Sequence, residues 1–103
     1  MKILFLIPAR GGSKGIPNKN IIQLVSKPLI GYTIEACLKI SEFYNCEICV
    51  STDSNVIKNV AEKFGIKVPF LRPESISTDT ASSEEVILHA IDWYEIQGKT
   101  FDF

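Results

Sequence analysis

The stretch Pro8-Ala9-Arg10-Gly11-Gly12-Ser13-Lys14-Gly15-Ile16-Pro17-Asn18-Lys19-Asn20 packs cations, glycines and a hydroxyl into one loop-forming segment. Glycine has no Cβ, so neighbouring backbone N–H groups can approach an anionic oxygen closely, while Lys and Arg neutralise its charge. A second stretch, Arg72 to Ser83, adds another arginine and the hydroxyls of Ser75, Ser77, Thr78, Thr80, Ser82 and Ser83. Together these groups suit a nucleotide. Two familiar phosphate motifs are nevertheless missing. A dinucleotide fingerprint needs Gly-x-Gly, and Ser13 stands two positions after Gly11. Gly98-Lys99-Thr100 ends like a P-loop, but Trp93 occupies the position of its first glycine and the tripeptide follows a helical pattern instead of preceding one.

The elements that must position these loops read clearly. Lys2 to Pro8 is a buried strand, a continuous Ile-Leu-Phe-Leu-Ile run ending in proline. The spacing predicts a helix from Lys27-Pro28, with Ile30, Ile34, Cys37 and Leu38 as its apolar stripe. Cys46 to Thr52 is a second strand. Ser54 caps a helix carrying Val56, Ile57, Val60, Ala61 and Phe64, which Gly65 ends. Lys67 to Leu71 is a short third strand. Ser82 and Glu85 form a capping box for a helix that buries Val86, Ile87, Ala90, Ile91 and Tyr94 and stops at Gly98. Phe101-Asp102-Phe103 opens a fourth strand. Strands alternating with helices predict an α/β domain with a parallel sheet, and in such sheets ligands bind beyond the carboxyl ends of the strands. Both polar loops lie there, as does Thr52-Asp53. A three-stranded core is thin, so the 103 residues are expected to be part of a larger protein.

Composition narrows the function classes. Residues 1–34 carry Lys2, Arg10, Lys14, Lys19 and Lys27 and no acid, although the whole chain has a net charge of −1. A local basic region in a slightly acidic chain, without a Lys/Arg run or interleaved aromatics, fits a small anion and argues against nucleic acid. No apolar run reaches the ~18 residues of a membrane span. Ile3 to Ile7 is also too short for the roughly 7–15-residue core of a signal peptide, so a cytoplasmic location is expected. Cys46 and Cys49 have C-x-x-C spacing, but on a strand such positions face opposite ways, which makes them structural cysteines.

The Pro8–Asn20 stretch with Lys27-Pro28-Leu29-Ile30 resembles the N-terminal signature of the acylneuraminate cytidylyltransferases, enzymes that activate sialic acid and related nine-carbon sugars such as legionaminic and pseudaminic acid. Ser51-Thr52-Asp53-Ser54, Val68-Pro69-Phe70-Leu71-Arg72-Pro73 and Asp79-Thr80-Ala81-Ser82-Ser83 follow in the same order and spacing. The related Kdo enzymes also begin Ile-Pro-Ala-Arg but lack Gly-Gly-Ser-Lys-Gly, which favours the sialic-acid branch. The resemblance implies a Rossmann-like three-layer nucleotidyltransferase fold, truncated after the start of its fourth strand, with residues 1–103 as the N-terminal nucleotide-binding part of a single domain. It also implies a reaction: CTP and a free sugar acid give the CMP-sugar and pyrophosphate.

By the same resemblance Arg10 and Lys19 are catalytic, on the triphosphate and leaving pyrophosphate. Ala9, Gly11, Gly12 and Ser13 form the nucleotide loop, Asn20 orients the nucleotide, and Arg72, Ala81 and Ser83 read cytosine. Mg²⁺ is implied as cofactor, with ligands outside this chain, and no residue here is assigned to metal. CTP and a nine-carbon sugar acid are the expected partners, with a homodimer as an allowed assembly and neither nucleic acid nor membrane involved. Plainer readings stand beside these. Arg72 can serve as a structural ion-pair partner, Ser82 as a helix cap and Asp53 as support for the following helix. Asp79 can order its own loop, and His89, Trp93 and Tyr94 can simply pack. The alternatives to a sialate-type enzyme are a non-catalytic nucleotide-binding module and a nucleotidyltransferase for another sugar.

Overall fold

The computed structural model describes residues 2–10, 23–24, 27–77 and 81–103. Strand β1 is Lys2–Pro8; the two-residue strands β2, Gln23–Leu24, and β3, Lys27–Pro28, pair antiparallel. Helix α1 follows at Leu29–Ser41, then strand β4 at Asn45–Ser51, helix α2 at Asn55–Glu62, a 3-10 turn at Glu74–Ile76, and helix α3 at Ser83–Ile96. The helix predicted to start at Lys27 begins at Leu29, with Pro28 as its extended N-cap. A residue before proline is pushed out of the helical region, so Lys27 stays in the ladder.

Strands β1 and β4 are parallel, in register from Lys2 opposite Asn45 to Pro8 opposite Ser51. On the outer side of β4 the predicted third strand shrinks to one parallel bridge, Thr52 to Leu71. Pro69 has no N–H for a ladder, and the Val68 N–H is taken at 3.2 Å by the Glu62 carboxylate. On the outer side of β1 the C-terminal residues lie parallel: Leu4 donates to the Phe103 carbonyl at 2.9 Å and Asp102 to the Lys2 carbonyl at 2.8 Å. The lateral order is therefore Leu71, β4, β1, Phe103. Counted along the chain, this order is third, second, first, fourth, as a doubly wound sheet begins. The predicted fourth strand, residues 101–103, makes these backbone bonds but forms no strand.

Adjacent residues of β4 divide the two faces. Val50 joins Ile30 and Ile34 of α1 with Ile57 and Ala61 of α2 in one buried cluster. Cys49 faces the other way, fully buried beside Tyr94 of α3. Helices α1 and α2 thus cover one face and α3 the other, a three-layer α/β fold. Two apolar side chains predicted for buried stripes are exposed: Val56 is 56% and Ile87 45% accessible. In α3 the buried row is Val86, Ala90 and Tyr94, strict i, i+4 spacing, and Ile87 lies on its flank.

Helix ends follow their local chemistry. The Ser54 hydroxyl accepts from Ile57 N–H at 3.3 Å, and the Ser82–Glu85 capping box is formed on both sides. Helix α3 ends where Gly98, at φ +81°, donates to Glu95 and Lys99 donates to Tyr94. This is the Schellman pattern, and its left-handed residue strongly favours glycine.

Candidate functional site

Beyond the carboxyl ends of β1 and β4, a cavity of about 380 Å³ opens between the sheet and the start of α3. That volume is within the range of small-molecule sites, about 300–1,000 Å³. Its apolar wall is Leu6, Pro8, Val86 and the flank residue Ile87, and its polar lining is Arg10, Arg72, Ala81, Ser82 and Ser83. Two loops distant in sequence therefore bring two guanidinium groups and two hydroxyls to one concavity. Among the described residues, no carboxylate lines it.

Each polar member is placed by a local cause. Ala9 extends the β1 ladder by donating to the Ser51 carbonyl at 2.9 Å, which sets Arg10 immediately beyond the sheet. Arg72 follows the Thr52–Leu71 bridge and donates its own N–H to the Thr52 carbonyl at 2.7 Å. Its side chain is only 6% accessible. Nε donates to Ser51 Oγ at 3.0 Å, Nη2 to the Ser51 carbonyl at 2.7 Å, and Nη1 to the Ile76 carbonyl at 3.4 Å. These bonds engage three of the five N–H donors a guanidinium has. Burial and the nearby Arg10 charge lower the Arg72 pKa, and Asp53 opposes them. Ser82 is occupied as the cap of α3: its hydroxyl accepts from Glu85 N–H at 3.1 Å. Ser83, one residue on, lines the cavity without that capping duty.

The structure thus brings Arg10, Arg72, Ala81 and Ser83 together out of the residues read from the sequence. Ala9 stands apart, with its side chain in the α1–α2 core and its N–H committed to Ser51. Gly11, Gly12, Ser13, Lys19, Asn20 and Asp79 lie outside the described residues. Ser51 was quoted in the sequence only as part of a motif, with no role. Its signal was a hydroxyl at the end of a strand, where the structure buries it completely. His89 packs edge-on against Phe70, ring centroids 4.6 Å apart, and its buried Nδ1 has no hydrogen-bond partner. Burial and the Arg72 charge hold His89 below the usual imidazole range, against the pull of Asp92. Its packing matches the plainer reading. Trp93 and Tyr94 continue the aromatic row toward Phe101.

A larger cavity, about 750 Å³, lies at the opposite end of the strands beside Cys46, Glu47 and Lys99 and collects none of the predicted site residues. Among the described residues no three His, Cys, Asp or Glu side chains come together. With no carboxylate on the 380 Å³ cavity either, the described residues do not build a magnesium site there. No described helix is long and apolar enough to cross a membrane.

Known proteins resemble this chain over nearly its whole length. The chain is 47% identical over 102 residues to the pseudaminic acid cytidylyltransferase of Campylobacter jejuni, covering 99% of this chain and 43% of that protein. It is 50% identical over 93 residues to the N-acylneuraminate cytidylyltransferase of Escherichia coli O18:K1:H7, covering 90% of this chain and 22% of that one. The chain thus spans less than half the length of these curated relatives. Among solved structures it is similar to CMP:2-keto-3-deoxy-manno-octonic acid synthetase complexed with CTP, with a TM-score of 0.74 and 27% identity. That match covers 90% of this chain and 36% of the synthetase. The shared architecture is the Rossmann-like nucleotidyltransferase fold. The family model described as cytidylyltransferase matches residues 4–97, nearly the whole sequence, and the chain belongs to that family.

Proposed function

We propose that residues 1–103 are the nucleotide-binding part of a single-domain cytidylyltransferase that activates a sialic-acid-type, nine-carbon sugar acid with CTP. The observation that carries this reading is the convergence of Arg10, Arg72, Ala81 and Ser83 on one cavity at the carboxyl ends of the strands. In the reaction the sugar's anomeric hydroxyl attacks the α-phosphorus of CTP and pyrophosphate leaves. Negative charge crowds the phosphates in the transition state, so fixed cations and N–H donors lower the barrier most. Arg10 and Lys19 serve the triphosphate and the departing pyrophosphate. Ala9, Gly11, Gly12 and Ser13 shape the loop around them, and Asn20 orients the nucleotide. Arg72, Ala81 and Ser83 face the base. Mg²⁺ accompanies the triphosphate in this reading, with its protein ligands outside these residues. Both substrates are small anions of the cytoplasm, and neither nucleic acid nor membrane is needed.

The names of the relatives support a sugar acid of this class, since they specify pseudaminic acid and N-acylneuraminate. The test is calorimetric titration of the chain with CTP, UTP and GTP. CTP is expected to bind most tightly, and Arg10→Ala to weaken it about tenfold through loss of charge-assisted contacts to phosphate. Equal affinity for UTP, or an unaltered Kd in Arg10→Ala, defeats the assignment.

A further inference from the structure

We propose that Ser51 is a positioning residue for nucleobase discrimination, acting through Arg72; this rests on the reading of the cavity as a CTP site. Ser51 and Thr52 are fully buried at the end of β4, and Arg72 is nearly so. Nε and Nη2 lie on the same edge of a guanidinium, and Ser51 alone satisfies that edge, with Oγ at 3.0 Å from Nε and its carbonyl at 2.7 Å from Nη2. The same carbonyl accepts from Ala9 N–H at 2.9 Å, so both of its lone pairs are engaged. One strand-end residue therefore fixes the direction of Arg72 and the backbone just before Arg10.

Gripping one edge leaves the far edge free to act. Nη2 keeps a second N–H, and Nη1 keeps one beyond its long 3.4 Å bond to the Ile76 carbonyl. Arg72 lines the cavity, so these donors have a ligand to address there. Two donors on a fixed plane match the O2 and N3 acceptors of cytosine. Uracil presents a donor at N3, which would oppose another donor and leave buried groups unpaired. The discrimination depends on the guanidinium being unable to turn. A free arginine would rotate to suit either base and would lose rotamer freedom on binding. The Ser51 hydroxyl supplies that constraint.

The experiment is titration of the chain and its Ser51→Ala, Arg72→Ala and doubly substituted variants with CTP and UTP, each variant checked by circular dichroism. Ser51→Ala is expected to weaken CTP about fivefold, the scale of one hydrogen bond, and to leave UTP nearly unchanged. It should add nothing in the Arg72→Ala background. Equal losses for both nucleotides, or losses that add to those of Arg72→Ala, would assign Ser51 a merely structural role and overturn the proposal. If Ser51→Ala does not fold, Ser51→Cys, close in shape but a weak acceptor, reads the same change in base preference. A wild-type chain that does not prefer CTP overturns the reading of the cavity and this proposal with it. A preference that survives loss of the hydroxyl overturns the proposal alone.

Discussion

Cys49 on β4 and Tyr94 on α3 are both buried and lie close enough to act on each other's titration. Burial, the largest cause at both groups, pushes Cys49 up to about 11 and raises Tyr94 well above the usual phenol range. Both are acids that stay protonated longer in the folded chain than in the unfolded one. Above a thiol's ordinary 9.0 the unfolded chain releases protons that the folded chain retains, so stability is full below that pH and falls as pH rises toward 11. The urea midpoint should therefore drop between pH 8 and pH 10.5, and Cys49→Val should shallow that drop. A midpoint flat across the range would show that neither group is shielded as described. The same burial fits the reading of Cys46 and Cys49 as structural cysteines. Cys49 is a packed, protonated thiol with α3 on it, and the Cys46 charge acts on Cys37, on α1 at the other face. Alternation along a strand predicted that separation. The partner Tyr94 could not be predicted, because it comes from a helix more than forty residues away.

Helix α1 meets the turn that follows α2 at Gly31, where an added Cβ would stand 2.5 Å from the Phe64 ring tip. Gly31→Ala gains roughly 1 kcal/mol of intrinsic helix preference. It also forces the ring out of a packed position, and overpacking costs about 1–3 kcal/mol. The expected result is a net loss near 1 kcal/mol in urea unfolding, recovered when Phe64→Leu is combined with it. An additive double variant would show that the two residues do not touch. This glycine's role was invisible in the sequence, since its reason lies in the turn after another helix. Signals confined to one segment were legible: the Ser54 and Ser82 caps and the Gly98 stop form where their residues indicate, and the buried rows form apart from Val56 and Ile87. Signals that depend on a neighbour were read less well. Lys67–Leu71 has strand composition, but Pro69 and the Glu62 carboxylate reduce it to a single bridge. Ile87 fits a buried stripe by type, yet it forms a wall of the cavity. At the site, the pairing of Arg10 with Arg72 follows from strand order, which the β–α alternation indicated. The grip of Ser51 on Arg72 needs three-dimensional register, and one sequence does not carry that.

As a whole, the described residues bring cations and hydroxyls to the cavity without carboxylates of the kind that metal-assisted phosphoryl chemistry uses. Among the described residues, two arginines and no acid line the cavity, and no three metal-ligating side chains form a cluster. The relatives that share nearly all of this chain are more than twice its length. Affinity for CTP and turnover should therefore separate. With CTP, Mg²⁺ and N-acetylneuraminate, the 103-residue chain is expected to bind nucleotide but release no pyrophosphate beyond the sugar-free control. Nothing in the described cavity positions a sugar hydroxyl behind the α-phosphorus, and effective concentration of the nucleophile accounts for much of the rate in such displacements. The measurement pairs a pyrophosphate assay with CTP titration and circular dichroism on one sample, beside the N-acylneuraminate cytidylyltransferase of Escherichia coli as a positive control. Sugar-dependent release at a rate near that control would place the catalytic machinery within these 103 residues and refute the division. A folded sample that binds CTP and stays silent supports it, because misfolding cannot explain silence in a protein that holds its nucleotide.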